Sequence, residues 1–175
     1  MAIEVELKAR IDNPDEMRER LHRTARFVHS FEKQDIYFTR PGEAEGLFRI
    51  RNEDGSNTVT YKRKTIEEGI EVNQEHEFIV SDATEFLGFC EYLGYIKYIE
   101  KHKTGDLFSY RKASLELTFV ESLGWFVEIE YLVDEDSEVD AARKRLHDIL
   151  SDLNISKERI EARYYTDMLR EQKRG

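Results

Sequence analysis

The chain has 175 residues, which is enough to bury a sizeable core within one domain. Its 37 acidic residues exceed its 27 basic residues and give a formal net charge of -10, which argues against nucleic-acid binding through bulk charge. No apolar run approaches the roughly 20 residues of a membrane helix, and the single cysteine, Cys90, fits a reducing compartment. We therefore expect residues 1–175 to form one cytoplasmic domain without a membrane or nucleic-acid partner.

The first predicted strand, residues 3–10, alternates ionic and apolar side chains. Glu4, Glu6, Lys8 and Arg10 fall on one face, and the opposite face is wholly apolar. For a lone strand, the ordinary interpretation is an amphipathic surface strand with its charges in water. Repetition of the pattern along the chain argues against that interpretation here.

Five later strand-like runs carry like-charged residues two positions apart. The pairs are Arg49/Arg51, Lys62/Lys64, Glu75/Glu77, Lys101/Lys103 and Glu128/Glu130. Like charges on one face repel, so each pair needs partners on other strands or on a ligand. A sheet closed on itself would bring these faces into one lumen, where acidic and basic strands compensate each other. The apolar faces would then point outward beneath helices, and the lumen would suit a polyanion together with a cation.

Helix signals fall between and after the strands. Asn13-Pro14 and Ser81-Asp82 each begin a helix, and an apolar stripe marks a longer one near the carboxyl terminus. The predicted helices span residues 13–24, 81–93 and 137–153, with a short helix from residue 156 and a last one beginning within 164–170.

Turn signals divide the strands. Residues 27–31 and 34–41 are predicted as separate strands, and Asp54-Gly55 predicts a hairpin. Thr104-Gly105-Asp106 predicts a turn after a strand at 95–103. Residues 107–120 form two short strands or one long bent strand, and the sequence leaves both open.

The chemistry of the chain rests on carboxylates and bases. Its five histidines show no metal-ligand spacing, and the sequence contains no nucleophile elbow or phosphate-cradling glycine loop.

An ordered set of motifs resembles the CYTH superfamily, the triphosphate tunnel metalloenzymes. The run E-x-E-x-K at Glu4, Glu6 and Lys8 is followed in order by QDIYF, R-I-R, a strand ending in T-Y-K, E-x-E, E-K-x-basic and L-G-x-F-x-E-I-E. The resemblance extends from Ile3 to the region of Tyr165, and its spacing is most similar to the CyaB-type class IV adenylyl cyclases.

The resemblance implies an α+β fold: a closed eight-stranded antiparallel barrel with a charged lumen, covered outside by helices. It implies a triphosphate substrate, such as ATP, thiamine triphosphate or tripolyphosphate, with Mg²⁺ or Mn²⁺ as cofactor. Lysine and arginine side chains can neutralise such a polyanion, and carboxylate oxygens suit a hard divalent cation.

The resemblance also implies a role for each charged position. Metal-side carboxylates are Glu4, Glu6, Glu116, Glu128 and Glu130. Substrate-side residues are Lys8, Arg49, Arg51, Lys62, Lys64, Glu75, Glu77, Lys101, Lys103 and Arg111. Catalytic roles fall to Glu6, Lys8 and Glu128. Arg10 and Arg111 have surface charge as an alternative, and Tyr165 is either a lid over one tunnel mouth or core packing of the last helix. Lys33 and Lys173 are expected on the surface.

Three departures from the family pattern leave the reaction open. Asn73 stands where relatives have arginine, Lys103 stands where they have a second arginine, and Thr118 stands where they have aspartate, with Glu116 one pleat earlier. Three functions fit this pattern: a class IV-type adenylyl cyclase, a triphosphatase, and a non-catalytic module that binds polyphosphate or nucleotide. A homodimer is also compatible with it.

Overall fold

Eight antiparallel strands close into one barrel in the computed structural model, which describes residues 3–174. The strands are β1 (Ile3–Arg10), β2 (Arg26–Thr39), β3 (Phe48–Glu53), β4 (Ser56–Glu67), β5 (Ile70–Val80), β6 (Ile96–Tyr110), β7 (Ala113–Val120) and β8 (Gly124–Val133). Their order around the barrel is β1-β5-β4-β3-β2-β6-β7-β8, and β1 closes the sheet by pairing with both β5 and β8. This architecture confirms the predicted fold class.

Helices surround the barrel. They are α1 (Pro14–Thr24), α2 (Ala83–Tyr92), α3 (Val139–Asp152) and α4 (Tyr165–Arg174), with short 3₁₀ turns at Asp136–Glu138 and Lys157–Arg159. The side chain of Asn13 caps α1 by accepting a hydrogen bond from the backbone of Glu16, and Asp82 caps α2 in the same way. These local signals explain why the predicted starts of α1 and α2 are close to the observed ones. Among residues 3–174, none of the helices has the length and hydrophobicity of a membrane-spanning segment.

The apolar strand faces point outward, as the pleat predicts. Val5 and Ile129 are fully buried between the barrel wall and the helices, where they belong to one core with Leu21 of α1 and Leu146 of α3. A smaller core under α2 contains Phe38, Ile50, Val59 and Cys90. The hydrophobic core therefore lies outside the barrel, and the lumen is left to the ionic faces.

Two predicted strand boundaries are wrong. β2 is one strand, with no break between residues 31 and 34. β6 runs through Gly105 without a turn, and the chain reverses instead at Arg111 and Lys112, whose φ angles are 49° and 68°. Residues 107–120 are thus the end of β6 followed by β7.

Gly105 allows close packing within the sheet rather than a turn. A Cβ atom at this position would collide with the backbone oxygen of Leu117 and would lie 3.0 Å from the ring of Phe31. A glycine inside a strand often marks such a close approach.

We predict that Gly105→Ala lowers the free energy of unfolding by about 2 kcal/mol, because the strand must shift to admit the methyl group. Gly88→Ala is the matched control: Gly88 lies in α2 with open space around its Cα, and alanine should stabilise that helix by roughly 0.5–1 kcal/mol. Urea denaturation measures both. Equal stability of Gly105→Ala and the wild type would contradict the packing role.

Candidate functional site

The inward strand faces enclose a charged cavity of about 850 Å³, to which all eight strands contribute. The lining bases are Lys33, Arg49, Arg51, Lys62, Lys64, Lys101 and Lys103. The lining strand carboxylates are Glu4, Glu6, Glu71, Glu75, Glu77, Glu116, Glu128 and Glu130. Lys8 and Asp35 are buried in the same wall. The structure therefore brings together every predicted site residue except Arg111.

Lys103 joins two carboxylates on neighbouring strands. Its Nζ lies 2.7 and 2.8 Å from the two oxygens of Glu128 and 3.0 Å from Glu116. Burial opposes ionisation of both carboxyl groups, but the lysine outweighs it and holds the pKa of Glu128 and of Glu116 below the ordinary value. Thr118 takes no part, because its hydroxyl faces the backbone oxygen of Thr104 at 3.4 Å. Of the two candidates for the family aspartate, Glu116 is the one whose carboxylate lies beside Glu128.

Lys33 belongs to this cluster, so the expectation that it lies on the surface is wrong. Its Nζ is 2.5 Å from Glu116, and its side chain is largely buried. The physical reason is the unbroken β2, which continues the inward parity of Asp35 back to Lys33.

Asp35 is a central residue that the sequence analysis did not assign. Its side chain is inaccessible to solvent and lies 2.7 Å from Arg51, 3.0 Å from Lys101 and 3.6 Å from Arg49. Burial alone would raise the pKa of Asp35, but these three cations outweigh it and hold the pKa well below its ordinary value. Asp35 therefore fixes the cations in place while one donor stays available: the buried Nε of Arg49 has no hydrogen-bond partner within the described chain.

Tyr37 is a second residue that the sequence analysis missed. Its hydroxyl oxygen accepts a hydrogen bond from Lys101 at 3.0 Å. Burial opposes formation of the phenolate, but Lys101 and the other cations around it outweigh burial and lower the pKa of Tyr37 to about 8. A fraction of Tyr37 is therefore phenolate near neutral pH, and that phenolate can accept a proton.

The cavity wall opposite β2 and β3 is acidic. Glu4 lies 3.0 Å from Lys62, which also pairs with Glu75, and the amide of Asn73 donates to Glu4 at 3.3 Å. Burial and the negative charges of Glu71, Glu4 and Glu128 raise the pKa of Glu6 well above its ordinary value.

Glu130 lies among the same group of carboxylates. Burial and the adjacent Glu4 raise the pKa of Glu130 to about 8. Within residues 3–174 neither Glu6 nor Glu130 forms an ion pair, so this wall holds carboxylates that no base compensates.

The donor set fits the expected Mg²⁺ or Mn²⁺. Hard divalent cations take carboxylate oxygens, and such an ion would relieve the repulsion around Glu6 and Glu130. Among the described side chains no three acidic, histidine or cysteine residues already converge closely enough to hold a metal. Glu4 and Glu128 are each turned toward a lysine.

The start of α4 closes one end of the cavity. Tyr165 donates a hydrogen bond to Glu128 at 2.8 Å, and its ring packs edge-on against Phe126. The ring of Tyr164 lies 4.6 Å from Nζ of Lys64. Tyr165 therefore packs the last helix, as the core-packing alternative predicts, and it also lines the cavity.

The remaining charged residues make separate contacts, in the wall of the cavity or outside it. Lys8 pairs with Glu71, and Glu77 accepts from Thr60 at 2.7 Å. Arg10 pairs with Glu161 at 2.9 Å. Arg111 sits in the β6–β7 turn and pairs with Asp152 at 2.7 Å, so the structure does not bring it to the other predicted site residues. Glu71 and Asn73 share the parity of Glu75, and that alternation could have revealed them.

Comparison with known proteins gives consistent results. A protein of Methanocaldococcus jannaschii, named "putative adenylate cyclase", is 29% identical over 171 residues, which is 95% of this chain and 98% of that protein. A solved structure from Pyrococcus horikoshii, PH1819, has a TM-score of 0.83 at 29% identity and covers 97% of this chain and 99% of its own.

A Hippeastrum protein, described as a "putative adenylyl cyclase" with a dominant triphosphatase activity, shares the fold with a TM-score of 0.68 at 16% identity, over 98% of this chain and 96% of its own. The model of the CYTH domain matches residues 2–165. That match covers the charged barrel from β1 to the start of α4, and this chain is a member of the CYTH family.

Proposed function

We propose that the tunnel binds a triphosphate with a divalent cation and converts ATP to 3′,5′-cyclic AMP and pyrophosphate. The proposal rests on one observation: the lumen contains both a hydrogen-bond donor without an acceptor and carboxylates without a cation. The buried Nε of Arg49 has no acceptor in the described chain, and Glu6 and Glu130 have no cation there. A polyanion would supply the acceptor for Arg49, and a metal bound with it would supply the cation for the two carboxylates.

The charge balance explains why the anion would need a metal. With Lys8 and Asp35 included, the described strands bring eight bases and nine carboxylates to the lumen. Carboxylates therefore already balance the bases in number, and a bare triphosphate would leave a large excess of negative charge in a region of reduced dielectric.

We assign the metal to Glu4, Glu6, Glu128 and Glu130, with Glu116 adjacent. When bound, a divalent cation supplies positive charge that polarises the phosphoryl oxygens. The protein side chains do the rest: Lys103 and Tyr165 hold Glu128 in a fixed orientation, at 2.7 and 2.8 Å.

The bases would hold and neutralise the phosphate chain. Arg49, Arg51 and Lys101 form one cationic group that Asp35 fixes, while Lys8 lies buried against Glu71 on the opposite side of the barrel. Donors fixed before the reaction stabilise the charge that builds on the leaving pyrophosphate without the cost of reorganisation.

In the cyclase reaction, the ribose 3′-oxygen forms a bond to the α-phosphorus, the bond from that phosphorus to the pyrophosphate oxygen breaks, and the 3′-proton passes to a base. We assign that base to Glu6, because burial and the neighbouring carboxylates raise its pKa well above the ordinary value, which makes its carboxylate a better proton acceptor. The similarity to the M. jannaschii protein supports the cyclase proposal.

Tyr37 favours a second candidate, hydrolysis of a triphosphate. Lys101 and nearby cations lower the pKa of Tyr37 to about 8 despite its burial, and its phenolate form could take a proton from water attacking the terminal phosphorus. Product analysis separates the candidates: the protein is incubated with ATP, thiamine triphosphate or tripolyphosphate and Mg²⁺ or Mn²⁺, and followed by ³¹P NMR. Cyclic AMP with pyrophosphate supports the cyclase, and orthophosphate supports hydrolysis. No turnover of any substrate would leave only a binding module.

Glu6→Gln should reduce turnover by about a hundredfold or more, because it removes a carboxylate from the metal side of the lumen. Glu19→Gln, on the exposed face of α1, is the control and should leave turnover unchanged. Steady-state rates with Mg²⁺ and with EDTA complete the test. Full activity in EDTA would rule out the metal assignment.

Arg49→Ala should weaken binding of tripolyphosphate by roughly 2 kcal/mol, because a charge-assisted bond to a desolvated phosphate is lost. Lys173→Ala removes an exposed cation from α4 and should change affinity little. Isothermal titration calorimetry in the presence of Mg²⁺ measures both. Similar losses at the two positions would mean that the anion binds outside the lumen.

Without divalent metal, the free energy of unfolding should fall as pH rises from about 4.5 to about 8. The folded state keeps the Glu130 proton up to about pH 8, whereas the unfolded chain releases it near 4.5. Melting temperatures across this range test it. Glu130→Gln should flatten the decline and raise the melting temperature at pH 8, and identical profiles for variant and wild type would contradict the carboxylate crowding.

A further inference from the structure

Two pairs of glutamates face each other across neighbouring strands of the lumen. Glu116 of β7 is the ladder partner of Glu128 of β8, and Glu130 of β8 is the ladder partner of Glu6 of β1. Side chains directly opposite in a sheet lie about 5 Å apart, so two carboxylates placed in this way repel each other. Each pair is therefore stable only with a cation beside it.

Lysines provide that cation in the first pair. Lys103 donates to both members, at 3.0 Å from Oε2 of Glu116 and 2.7 Å from Glu128. The other oxygen of Glu116, Oε1, accepts from Lys33 at 2.5 Å. Both oxygens of Glu116 are thus held by ammonium groups, which come from two different strands, β2 and β6.

Lys33 has no equivalent partner nearby. Its side chain is 11% exposed, and the next carboxylate, that of Glu53, lies 3.9 Å from its Nζ. The ring of Phe31 covers the Nζ at 4.2 Å. An ion that displaced Lys33 from Glu116 would leave a buried ammonium group without a full partner, and breaking a buried pair in this way is strongly unfavourable.

The second pair has no such base. Glu6 and Glu130 both line the cavity, and neither forms an ion pair within the described part of the chain. Among residues 3–174, they are the one pair of facing lumen carboxylates in which both members lack a cation. The lumen therefore leaves room for one added cation, on the β1–β8 side.

We propose that the lumen takes one divalent cation, at Glu6 and Glu130, and that Lys33 supplies the positive charge that a second ion would bring to Glu116. This inference rests on the proposed function, which requires a divalent cation in the lumen. Two-metal sites clamp a phosphoryl group between ions about 4 Å apart. Here ammonium groups already hold the oxygens of Glu116 that a second ion would need.

Titration of the full chain with Mn²⁺ alone tests the proposal, with the unbound ion followed by electron paramagnetic resonance. A concentration of about 0.15 M KCl screens weak binding at the acidic surface. The wild type should bind one ion per chain. Two ions in the wild type would overturn this inference and leave the proposed function intact. No bound ion would overturn it together with the metal assignment of the proposed function.

Two matched variants locate the ion. Glu130→Gln should raise the dissociation constant for Mn²⁺ by about tenfold or more, because it removes a carboxylate that binds the ion. Glu116→Gln is the control: it removes the same charge from the neighbouring strand and should leave the constant within about threefold of the wild-type value. Equal losses in the two variants would overturn the proposal.

Variants of Lys33 separate its charge from its packing. Lys33→Met frees Oε1 of Glu116 and should admit a second, weaker Mn²⁺ ion, whereas Lys33→Arg keeps the charge and should bind one. The double variant Lys33→Met/Glu116→Gln should also bind one. A single ion in Lys33→Met, or two ions in Lys33→Arg, would overturn the role of Lys33. If Lys33→Met does not fold, the ion count of the wild type and the affinity of Glu116→Gln still decide the proposal.

Discussion

Charged side chains inside a protein are stable only where opposite charges and hydrogen bonds replace the water that they lose. The barrel meets this constraint by placing acids and bases on neighbouring strands. Lys103 of β6 meets Glu116 of β7 and Glu128 of β8, and Asp35 of β2 meets Arg51 of β3. Closure of the sheet makes this possible, because only a closed sheet turns all the ionic faces toward one interior.

The same constraint identifies the site. Most buried charges are paired, so the groups without a partner stand out: the carboxylates of Glu6 and Glu130 on one wall and the Nε donor of Arg49 on the other. Groups of this kind cost stability in the absence of a ligand and gain it back when a ligand of the opposite charge binds. The lumen is therefore suited to a substrate that brings both signs of charge, as a metal-bound triphosphate does.

The fold could be predicted from the sequence because its clearest pattern, like-charged residues two positions apart, also determines which face of each strand points inward. Pairs such as Arg49/Arg51 and Glu128/Glu130 reveal strand parity, and a slip of one residue would exchange the two faces of a strand. Lone charges carry no such signal, which is why Asp35 was not assigned. Lys33 was misplaced because a break was predicted in β2. Gly105 is a turn residue by composition, and the close approach of the Leu117 backbone and the Phe31 ring explains its place in a strand.

The choice of reaction depends on which phosphorus lies in line with an attacking oxygen, and residue types do not determine that distance. Both reactions require that a metal and a triphosphate bind together in the lumen. A crystal structure with Mn²⁺ and a non-hydrolysable ATP analogue tests it most directly. We expect an anomalous manganese peak beside Glu4, Glu6 and Glu130, with the phosphates against Arg49 and Lys101. Manganese and analogue bound only on the outer surface would contradict it.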